Sequence, residues 1–154
     1  MIRRTRSRLL ELFCLVFSIR LKPEERYESQ AAVARACGIG IGVVEEIEAC
    51  GLLRSEPSRP GRLYDADDVR VVAIAAEMLD LGATTDDIIT YGAYTTQRCG
   101  RCGPELCPSR CDAIDELRRL LVRMAARAAD DLQPGRSRRI ARSISSIDTL
   151  SELM

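Results

Sequence analysis

The sequence predicts a mainly α-helical protein with a minor β component, and three observations carry that prediction. Apolar residues recur at helical spacing along most of the chain. Helix starts at Ser29, Asp65 and Thr84 alternate with stops at Gly38, Gly51, Gly82 and Pro134. Only two brief runs, Leu52–Arg54 and Arg62–Tyr64, read as strands.

The 154 residues suit one domain, or one small domain plus an assembly helix. With 46% apolar and 30% charged residues, wholesale disorder and collagen-like repeats are excluded. Aromatics make up only 4%, so the core is built from Leu, Ile, Val and Ala. The 23 basic residues balance 23 acidic ones, and every basic residue but Lys22 is Arg. The absence of His removes Ser-His-Asp and Cys-His catalysis, HExxH metal sites and every imidazole ligand. An enzyme is not expected.

In chain order, residues 1–27 form a basic and apolar N-terminal arm or helix. Arg3, Arg4, Arg6 and Arg8 precede an apolar run from Leu9 to Ile19 that carries both Phe residues, Phe13 and Phe17. The pattern mimics a secretory signal. Glu11 interrupts the run, however, no small-residue cleavage site follows, and Arg20 and Lys22 come next. Eleven residues are too few to span a bilayer. An amphipathic helix or arm is therefore preferred over an overlong start or an export signal, and a cytoplasmic location is expected.

Residues 28–95 make the main domain. Ser29 caps a short helix through Cys37, broken at Gly38 and Gly40, and a second helix runs from about Ile41 to Cys50 with Val43, Val44 and Ile47 inward. Two short helices across a glycine turn form a helix-turn-helix pattern. Ser55–Gly61, with two Pro and Arg59, has the composition of an exposed wing between the strands. Asp65 caps a helix from Ala66 to Leu81 that is apolar nearly all round, the expected buried spine. Thr84 with Asp87 then starts a helix to about Tyr91.

Residues 112–133 read as a dimerisation helix. Its apolar positions Ile114, Leu117, Leu121, Met124 and Ala128 recur at spacings of 3, 4, 3 and 4, a heptad seam that wants a partner helix, from a second copy or from the same chain. Residues 134–154 read as an Arg- and Ser-rich polar tail.

Of seven Cys, Cys14, Cys37 and Cys50 lie scattered in apolar stretches and read as small buried residues. Cys99, Cys102, Cys107 and Cys111 fall within thirteen residues, in the pattern C-x2-C-x4-C-x3-C over the loop 96–111. Four thiolates close a tetrahedral set suited to one metal centre, with zinc slightly favoured over [2Fe–2S] because the local turn satisfies its geometry. A pair of local disulfides is the alternative. Arg98, Arg101 and Arg110 surround the thiolates and favour their deprotonation.

The order of parts resembles the MerR family of winged helix-turn-helix transcription regulators. The resembling words are AVARACGI, EEIEACGLL, RPGRLYDADDV and LGATTDDI, over about sixty residues from Ser29 to Ile88. The resemblance implies a second helix in the DNA major groove, a wing on flanking phosphates, and a homodimer whose promoter binding answers to an effector. On this chain the implied DNA contacts are Arg54, Arg59, Arg62 and Tyr64, with Arg35 supporting. The four-Cys loop is similar to that of SoxR-like members, although here it precedes the pairing helix, and to a compact zinc knuckle. The family's Arg and Tyr in the second helix are replaced by Gly42, Glu45, Glu46 and Ile47. Over Gln30–Thr95 five basic residues meet eleven acids, a net charge of minus six, while eight Arg crowd the two ends. Duplex DNA is a dense line of negative charge whose affinity rests on cations. In its second helix the chain therefore also resembles the CbpM-type chaperone modulators, in which a MerR-like domain binds a protein. Two functions are thus expected as alternatives. One is a dimeric, metal- or redox-responsive DNA-binding regulator. The other is a MerR-like module docking a basic partner through Glu45, Glu46 and Glu48.

Overall fold

The computed structural model describes residues 2–24, 26–53, 64–96 and 109–153, with side chains for 9–24, 26–53, 64–91, 114–150 and 152. The described residues form seven helices and one two-stranded ribbon: α1 (Ile2–Val16), β1 (Arg26–Tyr27), α2 (Gln30–Cys37), α3 (Ile41–Ala49), β2 (Tyr64–Asp65), α4 (Ala66–Asp80), α5 (Thr85–Thr96), α6 (Ser109–Asp130) and α7 (Pro134–Leu153).

Local chemistry sets most boundaries. The Ser29 hydroxyl accepts from the Ala32 amide at 3.1 Å and opens α2. Gly38 closes it at φ 67°, a left-handed backbone that glycine adopts without steric cost. Asp65 and Asp68 form a reciprocal capping box at the start of α4, each carboxylate accepting from the other's amide. Thr84 and Asp87 repeat the device at α5. Pro134 sits at the first position of α7, where its missing N–H costs nothing.

Helix α4 is the spine. Val69, Val71, Val72, Ile74, Ala75 and Met78 have no exposure, because α1, α2, α3 and α5 pack around it. Helix α1 belongs to this body: Leu9, Leu10, Phe13, Cys14 and Val16 are buried, with Phe17 just beyond. The Phe13 ring lies 5.9 Å from that of Tyr91 in α5. The apolar run of the amino terminus is thus core, and residues 9–17 are not a free arm.

Three expectations are corrected. Tyr64 does not pair with Leu52 or Leu53. The ribbon joins β2 to β1, with Arg26 opposite Asp65 and Tyr27 opposite Tyr64, which puts both tyrosine rings in the core. Leu52 and Leu53 are outside any strand, and 54–63 lie outside the described residues. Helix α5 runs on to Thr96 rather than ending near Tyr91, and α6 starts at Ser109.

The third correction concerns the carboxyl end. Residues 134–153 are not a polar tail but a helix, α7, which packs along α6 more extensively than any other pair of elements in the fold. Ile114, Leu117, Leu121, Met124 and Ala128 are all buried within the single chain, as are Ile140, Ser143 and Ile147 of α7. The seam assigned to a dimer is filled by the chain's own helix. Ile140, Ile144, Ile147 and Leu150 make an apolar stripe, and the Arg and Ser between them disguise it.

Arginine pairs tie the outer helices down. Arg118 meets Asp148 across the α6–α7 hairpin at 2.8 Å, Arg139 of α7 bonds both Glu77 and Asp80 of α4, and Arg70 of α4 reaches Glu11 of α1 at 3.7 Å. Arg127 of α6 bonds Asp87 of α5. Burial alone would raise the Asp87 carboxyl, but its hydrogen bonds from Arg127 and Thr84 outweigh that and hold it below the ordinary carboxylate range.

Two outcomes follow for stability. Phe13→Ala should cost about 3–5 kcal/mol in urea unfolding, the usual loss for emptying a buried aromatic site; a cost below about 1 kcal/mol would show that α1 is not part of the core. Because the Asp87 carboxyl is depressed in the folded chain, its contribution is present above its unfolded pKa and lost as the pH falls through the folded value. Unfolding midpoints taken from about pH 6 to about pH 3 should therefore fall more steeply for the parent chain than for Asp87→Asn. Parallel curves would remove Asp87 from the account.

Candidate interaction surface around the third helix

The periodicity of α3 decides what it shows to solvent. Val44 and Ile47, three residues apart, are fully buried, on the helix side that packs against α2 and α4. The outward residues are then Ile41 (47% exposed), Gly42, Glu45, Glu46 and Ala49. No Lys or Arg occurs anywhere in this helix. Glu48 points sideways and is spoken for: it accepts a hydrogen bond from the Gln30 side chain and another from the Tyr64 hydroxyl at 3.1 Å. Of the three acids expected on the docking face, Glu45 and Glu46 are on it and Glu48 braces it from behind.

Beside this face lies an open groove of about 880 Å³. The segment following α1 supplies Phe17 and Ile19, the α2–α3 turn supplies Ile39, and Val43 and Leu79 complete its apolar lining. Glu46, Glu77 and Asp80 also line it. Glu77 and Asp80 are neutralised by Arg139, whereas Glu46 has no ion-pair partner among the described residues. Acidic and apolar surface are therefore contiguous, from Glu45 and Glu46 on α3 into the groove. Pattern reading missed the groove because its walls come from three elements far apart in sequence. The available signal was Phe17 and Ile39, apolar residues outside every helical stripe.

Cys37 lines the same groove, with its thiol 3.6 Å from the Val69 carbonyl oxygen. Burial pushes both the Cys14 and the Cys37 thiols up to about 11, and burial also raises Cys50. Cys14 is buried as its placement suggests, whereas Cys37 and Cys50 are only half-buried at the edge of the core.

The other expected site residues divide as follows. Arg35 is exposed on α2. Tyr64 is only 3% exposed and its hydroxyl is committed to Glu48, so it is not available as a phosphate contact; the tyrosine that the wing pattern offered to DNA is a core residue. Arg54, Arg59 and Arg62 lie outside the described residues, as do Cys99, Cys102 and Cys107. Cys111 falls in the first turn of α6, and its side chain is likewise outside them. Among the described residues no three His, Cys, Asp or Glu are grouped to hold a metal, and no helix is long and apolar enough to cross a membrane.

The chain matches no known family model, no curated protein and no solved structure.

Proposed function

We propose that this chain is a non-enzymatic regulatory module on a MerR-like, winged helix-turn-helix plan, in which α3 meets a basic protein partner instead of DNA. The observation that carries this reading is the outward face of α3, where Ile41, Glu45 and Glu46 adjoin an apolar groove and no cation is present. A helix lowered into the major groove would bring Glu45 and Glu46 against phosphates, which costs rather than gains free energy. An amphipathic partner segment with Lys or Arg beside its apolar residues satisfies both parts at once. Its apolar side chains bury against Phe17, Ile39 and Val43 while its cations answer Glu45 and Glu46.

The four-Cys loop is a second part of the proposal. Cys99, Cys102, Cys107 and Cys111 would hold one metal centre, zinc in preference to [2Fe–2S], in a reducing compartment. The place of Cys111 in the first turn of α6 supports this, since unpaired amides at a helix start favour thiolate. A centre there would brace the base of the α6–α7 hairpin.

A second reading keeps DNA as the target, with a homodimer responding to metal or redox state through the same four Cys. The exposed Arg35 and the wing residues Arg54, Arg59 and Arg62 favour it. The α6 seam is occupied by α7, so pairing of two copies would use a different face.

A charge-reversal experiment separates the two readings. The parent chain should bind a Leu- and Lys-rich amphipathic helical peptide, weaken as salt rises, and leave mixed-sequence duplex DNA unbound. The E45K/E46K variant should lose the peptide. Enrichment of an inverted repeat from fragmented genomic DNA by the parent chain, with no peptide binding, would replace the first reading by the second. For the metal, anaerobically purified protein should carry about one zinc per chain, and a variant with all four Cys changed to Ser should carry none. A mass lower by two disulfides, with no metal, would sink this part.

A further inference from the structure

We propose that the cleft between α2 and the segment joining α1 to β1 binds a multiply charged phosphate group. The cleft, of about 520 Å³, brings together Arg20, Lys22 and Arg35, with Glu24 as the one acid among its described lining residues. All three cations are exposed, and none has an ion-pair partner among the described residues. Arg70, Arg118, Arg127 and Arg139, by contrast, are each paired.

The segment that carries Arg20 and Lys22 is held at both ends. At its start Ser18 takes a left-handed backbone (φ 56°), and the Ile19 amide donates to the Cys14 carbonyl at 2.8 Å. At its end the Glu24 amide donates to the hydroxyl of buried Tyr27 at 2.7 Å, and Tyr27 is fixed in the ribbon opposite Tyr64. Two cations are thus presented on a short strap toward a third on α2, without the ordering cost of a loose loop.

The charge of the ligand follows from the solvent exposure. An exposed ion pair in water contributes little, so a monoanion touching one cation is not retained. A phosphate dianion, pyrophosphate or successive phosphodiesters engage two or three cations together, and arginine's planar fork suits phosphate oxygens. The site is independent of the α3 surface, whose acids repel the same ligand.

The test uses the full chain and follows backbone amide signals of residues 32–36 by NMR during titration with pyrophosphate, in constant ionic strength. Saturable shifts are expected, with affinity reduced about ten-fold in Arg35→Ala and in the R20A/K22A variant while circular dichroism stays unchanged. A competing duplex oligonucleotide that displaces pyrophosphate would identify a nucleic-acid backbone as the source of phosphate. Undisturbed pyrophosphate binding would identify a free phosphorylated molecule. Absence of saturable shifts, or equal affinity in the variants, overturns the proposal.

Discussion

A fifteen-residue helix whose valines, isoleucine and methionine occupy more than half of its circumference has to be covered on most sides, and that requirement on α4 organises the molecule. Burying each such side chain contributes about 1.5–3 kcal/mol, so leaving one face bare would forfeit several kcal/mol. The glycine-linked pair α2–α3 covers one flank and α5 another. With only 4% aromatic residues to spend, the chain places both Phe in and just after α1, which closes the remaining flank. The orientation of α3 is a consequence. With Val44 and Ile47 drawn inward, Glu45 and Glu46 have nowhere to go but out.

Charge then divides the surface in a way that net charge conceals. The chain sums to zero. Several of its arginines are consumed as ties between helices, from α7 to α4, α6 to α5, α6 to α7 and α4 to α1. What is left over includes two regions of opposite character. An acidic and apolar surface surrounds α3, and a basic cleft lies where the post-α1 strap meets α2. Two surfaces of opposite character thus lie on one small body.

Legibility in the sequence followed the range of the forces involved. Ser29, Asp65 and the Thr84–Asp87 pair announced their helices because capping is settled within four residues. The spine was readable from its apolar pattern behind the Asp65 cap. Failures came where a decision depends on distant chain. The heptad of Ile114 to Ala128 declared that a partner was needed but not which one, and Arg136, Arg138, Arg139 and Arg142 hid the stripe in α7 that supplies it. Tyr64 looked like a wing residue because its true partner, Tyr27, lies before α2 and has no strand pattern of its own. At the site, the acidic character of α3 was plain in the string of Glu residues. The inward turn of Glu48 and the groove beside Val43 needed the packing of α4 to be known first.

Helices α1 and α7 belong with the α4 body to one cooperative unit. Native-state hydrogen exchange measures this directly. Amides in α4, in the second half of α1 and around Ile140–Ile147 of α7 should exchange through the same global opening, with protection that falls together as urea is added. Exchange of α1 or α7 at near-unfolded rates, while α4 stays protected, would contradict the claim.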